Sequence, residues 1–300
     1  MVNFSRLISY LTENRPTANG LTANGPFQTG HPTPSRYPRV KPSLGISSVN
    51  YMPISACASS IRKHQHPLVR QLAEGIEKAW QRLELSPYHL PEDLGYVEGK
   101  LEGEKLVIEN RCYQTPQFRK LHLELARIGK NLDILHCVMF PRAEYGLPIF
   151  GCDIVSGRGQ ISAAIVDLSP GTAAGHLSDS YKTALAAKAE SQTSYSQPRD
   201  LPDWGKRIFS EVCCFVKPVT AAEEQQFLAQ AERYLSVHVQ QAMMRAPMPE
   251  RLDEFLERQR YYCTQQQQND KTRRVLEKAF GTQWAERYMT TVLFDMPPQS

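Results

Sequence analysis

The chain lacks any Cys-x-x-Cys pair, and its seven cysteines (Cys57, Cys112, Cys137, Cys152, Cys213, Cys214 and Cys263) are an odd, scattered set. This argues against a disulfide framework, a zinc site or an iron–sulfur cluster. Cys112, Cys137 and Cys152 lie in strand-like runs, where a free thiol behaves as a small hydrophobe, as suits a reducing compartment. No apolar run approaches the roughly 18 residues of a membrane span, so no membrane association is expected. Also missing are a Gly-rich phosphate loop, a dinucleotide fingerprint, a Gly-x-Ser-x-Gly elbow and a helical His-x-x-x-His pair. The reducing equivalents of any redox reaction would therefore have to arrive from outside. The net charge of +4 suits an acidic partner or an anionic ligand but is too weak to imply nucleic acid.

Acids are nearly absent from residues 1–51, where Glu13 stands alone among Pro16, Pro26, Pro32, Pro34, Pro38 and Pro42. Such a segment cannot bury enough apolar surface to offset its ordering entropy. It reads as a disordered extension, with residues 52–300 as a single domain. The extension has the composition of a transit peptide. The preferred reading is plainer, a dispensable tail or a start of translation at Met52.

After His66-Pro67 the spacing of Leu68, Leu72, Ile76, Trp80 and Leu83 predicts an amphipathic helix, ended by the Pro-rich link Ser86–Pro91. From Gly95 the period becomes alternating. Gly95–Leu101 and Lys105–Tyr113 read as a hairpin around Glu102-Gly103-Glu104. Phe118–Ala126, Leu132–Phe140, Ile149–Val155 and Ile161–Asp167 read as further strands whose loops are too short for parallel crossovers. Ile208–Val216 reads as another strand, and residues 171–203 as a short helix and a surface loop. The last third is helical. Thr220 and Glu223 form a capping box opening a helix toward Met244, and residues 249–262, Lys271–Phe280 and Gln283–Phe294 follow as helices. The Gln265–Gln268 run reads as a solvated helix face or loop with no function of its own. The class is α+β with a central antiparallel sheet.

On Phe118–Ala126, Leu121, Leu123 and Leu125 share one face and Lys120, His122 and Glu124 the other. The next strands are apolar except for Asp133 and His136 on one and Asp153 on the other. Buried charge in mid-strand is costly unless paired. Loop symmetry about Gly129 places His122 near His136, and the Pro141–Pro148 loop places His136 opposite Asp153. His122, Glu124, His136 and Asp153 then share one face about 5 Å apart across strands and titrate together as a proton-handling site. A buried His–Asp hydrogen bond with no function is the plain alternative for the pair alone. A metal is the rival chemistry, disfavoured because one sheet face leaves little room for a tetrahedron.

Two long blocks carry a resemblance. Pro87–Val155, including FRKLHLELARIGKNLDILHCVMFPRAEYGLPIFGCDIV, and Gln265–Asp295, QQQQNDKTRRVLEKAFGTQWAERYMTTVLFD, closely resemble the ferredoxin-dependent bilin reductases, above all the branch that makes phycocyanobilin. The likeness covers roughly residues 62–295 and fails in the N-terminal extension and around residues 171–197. It implies a three-layer α/β/α sandwich with the bilin between the sheet and the C-terminal helices. It also implies four-electron reduction of biliverdin IXα to (3Z)-phycocyanobilin by reduced ferredoxin. It implies further that no flavin, haem or metal is bound, so that the bilin itself would pass through radical states. The implied proton donors are Asp153 to start reduction, His136 to share that proton, and Glu124 to serve the D-ring exovinyl group, with His122 beside them.

The resemblance further implies that Asn269 and Lys271 lie near the bilin with Val275 packed close by. Ile134, Val138, Trp204, Tyr262, Gln266 and Leu293 would line its pocket, and Lys120, Ser162 and Arg199 would meet the propionates. A monomer is implied, in a cyanobacterial cytoplasm, or in a plastid stroma if residues 1–51 are a transit peptide. Ferredoxins are acidic, so Lys206, Arg207, Lys217, Arg273 and Arg274 are docking candidates. The alternatives are another bilin reductase specificity, or a non-catalytic carrier of bilin or haem.

Overall fold

Short turns with left-handed backbone set the sheet. Leu101 pairs with Glu104, and Gly157 with Gln160. The residues between them, Glu102-Gly103 and Arg158-Gly159, all have positive φ, the hairpin turn whose twist matches that of its flanking strands. The computed structural model describes Ser59, residues 61–188 and residues 194–298, which fall in one compact unit. Residues 1–51, with their reading as an extension, lie outside the described residues.

The strands are β1 (Ser86–Pro87), β2 (Tyr96–Leu101), β3 (Glu104–Gln114), β4 (Phe118–Ile128), β5 (Leu132–Pro141), β6 (Ile149–Gly157), β7 (Gln160–Ser169) and β8 (Cys214–Val216). They form one antiparallel sheet in the order β1-β3-β4-β5-β6-β7-β8, with β2 also paired to β3. The expected strand at Ile208–Val216 is therefore cut to its last three residues. Asp203–Lys206 is a helical turn, and the Ser210 N–H turns inward to the Asp167 carboxylate (3.2 Å), off any ladder.

Helices α1 (Pro67–Trp80), α2 (Asp179–Ala187) and α3 (Ala221–Met244) cover one face of the sheet, and α4 (Leu252–Gln266), α5 (Asp270–Phe280) and α6 (Thr282–Tyr288) the other. This is the expected three-layer sandwich. The His66 ring nitrogen caps α1 by accepting from the Leu68 N–H, with Pro67 as first residue, where a missing N–H costs nothing. The Thr220 hydroxyl caps α3 by accepting from the Glu223 N–H.

Under α1–α3, Leu68, Leu72, Ile76 and Phe227 meet Leu121, Leu123 and Leu125. Each side chain fully buried in this way contributes roughly 1.5–3 kcal/mol. Under α4–α6, Tyr262, Leu276 and Tyr288 meet Ala126, Val138 and Phe140. Among the described residues no helix is long and apolar enough to cross a membrane.

Asp167, buried in β7, accepts from the hydroxyls of Ser169 (2.6 Å) and Ser210 (2.5 Å). Burial nonetheless outweighs these bonds and pushes its carboxyl from 3.8 up to about 6. A carboxyl raised by folding stabilises the protein fully below its unfolded value, and that contribution is lost as pH rises through about 6. Two units correspond to about 3 kcal/mol. Urea unfolding at pH 4 and pH 7 should show wild type losing more stability than Asp167→Asn, by about 2 kcal/mol, since part of the contribution is already gone at pH 4. Equal losses would contradict it.

Candidate active site

Strand parity places Lys120, His122 and Glu124 on the face under α4–α6. All three are buried, Glu124 with only 8% exposure, so this is not a half-exposed strand. The register is Glu124 opposite His136, and His136 opposite Asp153. The second pairing is as expected, but the first is not: His122 faces Val138 and lies diagonal to His136. Gly129 is the first residue of its turn, not the centre, because β4 runs on to Ile128, paired with Leu132. Moving the turn centre by one residue moves every partner by two and leaves the faces unchanged.

His136 Nδ1 and Asp153 Oδ1 are 2.5 Å apart. Burial opposes a charge on His136, but the carboxylates of Asp153 and Glu124 together outweigh it and raise the imidazole above its ordinary range. Its buried Nε2 has no hydrogen-bond partner within the described chain, leaving one group for a ligand to meet. The Asp153 side chain is 46% exposed and that of His136 14%, so the row runs from an open end at Asp153 to a closed end at Glu124. Burial raises the Glu124 carboxyl, and the Asp153 charge adds to this, while His136 and Tyr288 work against it.

His122 differs from its neighbours. Burial, then the nearby His136, holds its imidazole well below the usual range, so it is neutral. The Asn110 amide nitrogen donates to the Leu94 carbonyl (2.7 Å), which turns Oδ1 toward His122 Nε2 (2.8 Å). Nε2 therefore carries the proton and donates. The His122 and His136 rings pack edge to face at 5.6 Å, and Phe294 lies 5.7 Å from His136. Among the described residues no group of three or more His, Cys, Asp or Glu is placed to hold a metal ion.

Two members of this network were not foreseen. Asn110 sits opposite Glu124 on β3, and extending the hairpin register by one strand would have found it. Tyr288, at the end of α6, is fully buried, and its hydroxyl lies 2.7 Å from Glu124 Oε2 and 2.9 Å from Asn110 Oδ1. Nothing in the period of a helix reveals which sheet residue it will meet.

The remaining expected residues fall into groups. Val138, Tyr262, Val275 and Leu293 are in the core beneath α4–α6, with Ile134 and Trp204 partly buried at its margin. Gln265 and Gln266 are buried, which corrects the solvated reading for the first half of the Gln265–Gln268 run, while Gln267 and Gln268 form a turn with Gln268 exposed; the Gln266 amide donates to the Tyr262 hydroxyl (2.9 Å). Asn269 accepts from the N–H groups of Lys271 and Thr272, capping α5, and so fixes Lys271 in the first turn of that helix.

Ser162 donates to the Val155 carbonyl (2.9 Å), and Arg199 donates to the Ser162 carbonyl (2.5 Å). Lys120 is not with them. Its ammonium contacts the Asp295 carboxylate and donates to the Val292 carbonyl (2.8 Å), and it lies in the Phe140 row, at the other end of the strands from the Val155 row. Residues Met289–Leu293 form a π-helical turn, closed by the Phe294 N–H on the Met289 carbonyl (2.9 Å). Arg119 clamps its end through the Asp295 carboxylate (2.5 Å) and carbonyl (2.9 Å).

Comparison with known proteins decides the family. Residues 73–295 match the family model described as ferredoxin-dependent bilin reductase. The chain belongs to the ferredoxin-dependent bilin reductases. Among curated relatives of this bilin reductase, the phycocyanobilin:ferredoxin oxidoreductase of Trichodesmium erythraeum is 60% identical over 235 residues, 78% of this chain and 95% of that protein. The enzyme of the same name from Synechococcus elongatus is 58% identical over 247 residues, 81% and 98% of the two chains. The fold also matches a crystal structure of phytochromobilin synthase from tomato in complex with biliverdin, with TM-score 0.64, 17% identity, and 76% and 84% of the two chains covered.

Proposed function

We propose that this bilin reductase converts biliverdin IXα to (3Z)-phycocyanobilin, taking four electrons from reduced ferredoxin and four protons through the Glu124–His136–Asp153 row. The observation that carries this reading is the graded row itself. An exposed carboxylate is hydrogen-bonded to a raised imidazole, and a buried carboxyl raised by its burial stands at the closed end. Electrons added singly to a conjugated tetrapyrrole make it basic, and acids at fixed positions determine which carbon is protonated.

Asp153 and His136 serve the bilin core through the open end, and the partnerless Nε2 of His136 is the group that faces it. Glu124 serves the D-ring exovinyl group. Arg199, beside Ser162, supplies a cation suited to a propionate, and Lys271 at the start of α5 a second. The names of the curated relatives support the product assignment.

Of the five cations offered for ferredoxin docking, Lys206, Arg273 and Arg274 are already engaged with Asp203, Glu286 and Asp270, while Arg207 is exposed. Electrostatic docking is screened by salt, so turnover should fall as ionic strength rises. A rate independent of salt would remove this part of the proposal. The deciding assay is anaerobic incubation with biliverdin and reduced ferredoxin, with products separated by chromatography. Phycocyanobilin is the expected product, and unchanged biliverdin or a different bilin overturns the assignment.

A further inference from the structure

Glu124, Tyr288 and Asn110 form a chain of three polar groups with little access to water. The Tyr288 hydroxyl touches both Glu124 Oε2 (2.7 Å) and Asn110 Oδ1 (2.9 Å). A phenol has one proton, so it can donate to only one of these acceptors at a time. Which one it chooses follows from Glu124. When Glu124 is ionised, its carboxylate accepts the phenolic proton. When Glu124 is protonated, its own O–H donates to the phenol oxygen, and the phenol turns its proton to Asn110. The Asn110 oxygen cannot swing away, because its amide nitrogen is fixed on the Leu94 carbonyl (2.7 Å). It has a second lone pair for Tyr288 beside the bond from His122.

We infer that Tyr288 is a positioning residue for Glu124, whose hydroxyl turns between the Glu124 carboxyl and the Asn110 amide oxygen so that Glu124 can hold its proton or release it with a hydrogen-bond partner in either state. The inference rests on reading Glu124 as a proton donor. A buried carboxyl that gives up a proton without such a partner would be left as an unsatisfied charge, and one without an acceptor would be a poorly held acid. No net proton passes through Tyr288. The proton that leaves Glu124 goes to the substrate, and the phenolic proton only changes its acceptor. The other titratable groups facing Glu124 are His136 and Asp153 from β5 and β6, with opposite effects on it. Cys112 of β3 acts on Tyr288, His122 is neutral, and Lys120 is held by Asp295.

The two partners should have opposite effects, which no general loosening of the site would produce. Tyr288→Phe removes a charge-assisted bond to the carboxylate and a weaker one to the acid, so the pH at which Glu124 loses its proton should rise by about one unit. Asn110→Leu removes the phenol's acceptor only in the acid state, so that pH should fall. His122 loses its acceptor equally in both states and does not bias the result.

The readout is the infrared carboxylic C=O band of the ligand-free, full-length protein, titrated with pH and assigned to Glu124 by its absence from Glu124→Gln. Shifts of opposite sign support the inference. Shifts of the same sign, or none, overturn it. Should Tyr288→Phe fail to fold, Asn110→Leu decides alone: a downward shift supports the inference, and any other result overturns it. These titrations need no substrate. If Glu124→Gln instead made phycocyanobilin normally, the role of Glu124 in reduction would fall while the band midpoints still decided the role of Tyr288.

Discussion

Asp153→Asn should bind biliverdin with its optical shift intact yet reduce it roughly 10²–10⁴-fold more slowly than wild type. The substitution is nearly isosteric, and the position is about half exposed (46%), so neither packing nor the pocket is disturbed. His136 also keeps an acceptor, the new amide oxygen, in place of the carboxylate it now meets at 2.5 Å. What is lost is charge. Burial already opposes a proton on His136, and Asp153 is the foremost influence raising it, so the variant removes one acid and weakens its neighbour. Anaerobic single turnovers with stoichiometric reduced ferredoxin separate binding from chemistry. A rate within a few-fold of wild type would remove Asp153 from the mechanism.

Glu124→Gln should separate activity from stability. Glu124 is buried and that burial disfavours its charge more than His136 and Tyr288 favour it, so a neutral amide of the same shape removes a desolvation cost along with those attractions, and thermal unfolding should change little from wild type. Gln retains an oxygen for the Tyr288 hydroxyl, now at 2.7 Å, but has no proton to give. The reaction should stall with a partly reduced bilin that keeps its exovinyl group, while the step served by Asp153 and His136 continues. Chromatography of the quenched reaction tests this. Normal yields of phycocyanobilin would place the vinyl proton elsewhere.

Much of this site could be read in the sequence because a strand has period two. Once Leu121, Leu123 and Leu125 are assigned to one core, Lys120, His122 and Glu124 must face the other way. The turn at Pro141–Pro148 then correctly gave His136 opposite Asp153. The error at His122 came from treating Gly129 as a turn centre, when its left-handed conformation (φ 56) opens the turn. Parity survives such an error and partner identity does not, which is why the face was right and the pair was wrong.

Contacts between layers were not legible. Tyr288 meets Glu124 across 164 residues of sequence, a distance set by how α6 lies on the sheet. The burial of Gln265 and Gln266 has the same origin, since polar composition suggested solvent while the fold turned part of that run inward. Ile208–Val216 has the apolar content of a strand. The hydrogen bonds of Ser210 to a buried carboxylate in β7 took its backbone elsewhere.

The π-helical turn at Met289–Leu293 acts as a phase setting for the chain's last contacts. An α-helical residue turns the chain by about 100°, and a π turn holds one more residue than an α turn over the same hydrogen-bonded span. Tyr288 before the turn and Phe294 and Asp295 after it all reach the sheet face, one at Glu124, one at His136 and one at Lys120. With one residue fewer, Tyr288 would remain seated while Phe294 and Asp295 rotated away from their partners. The number of residues in that turn, more than their identity, therefore keeps the two ends of the site in register.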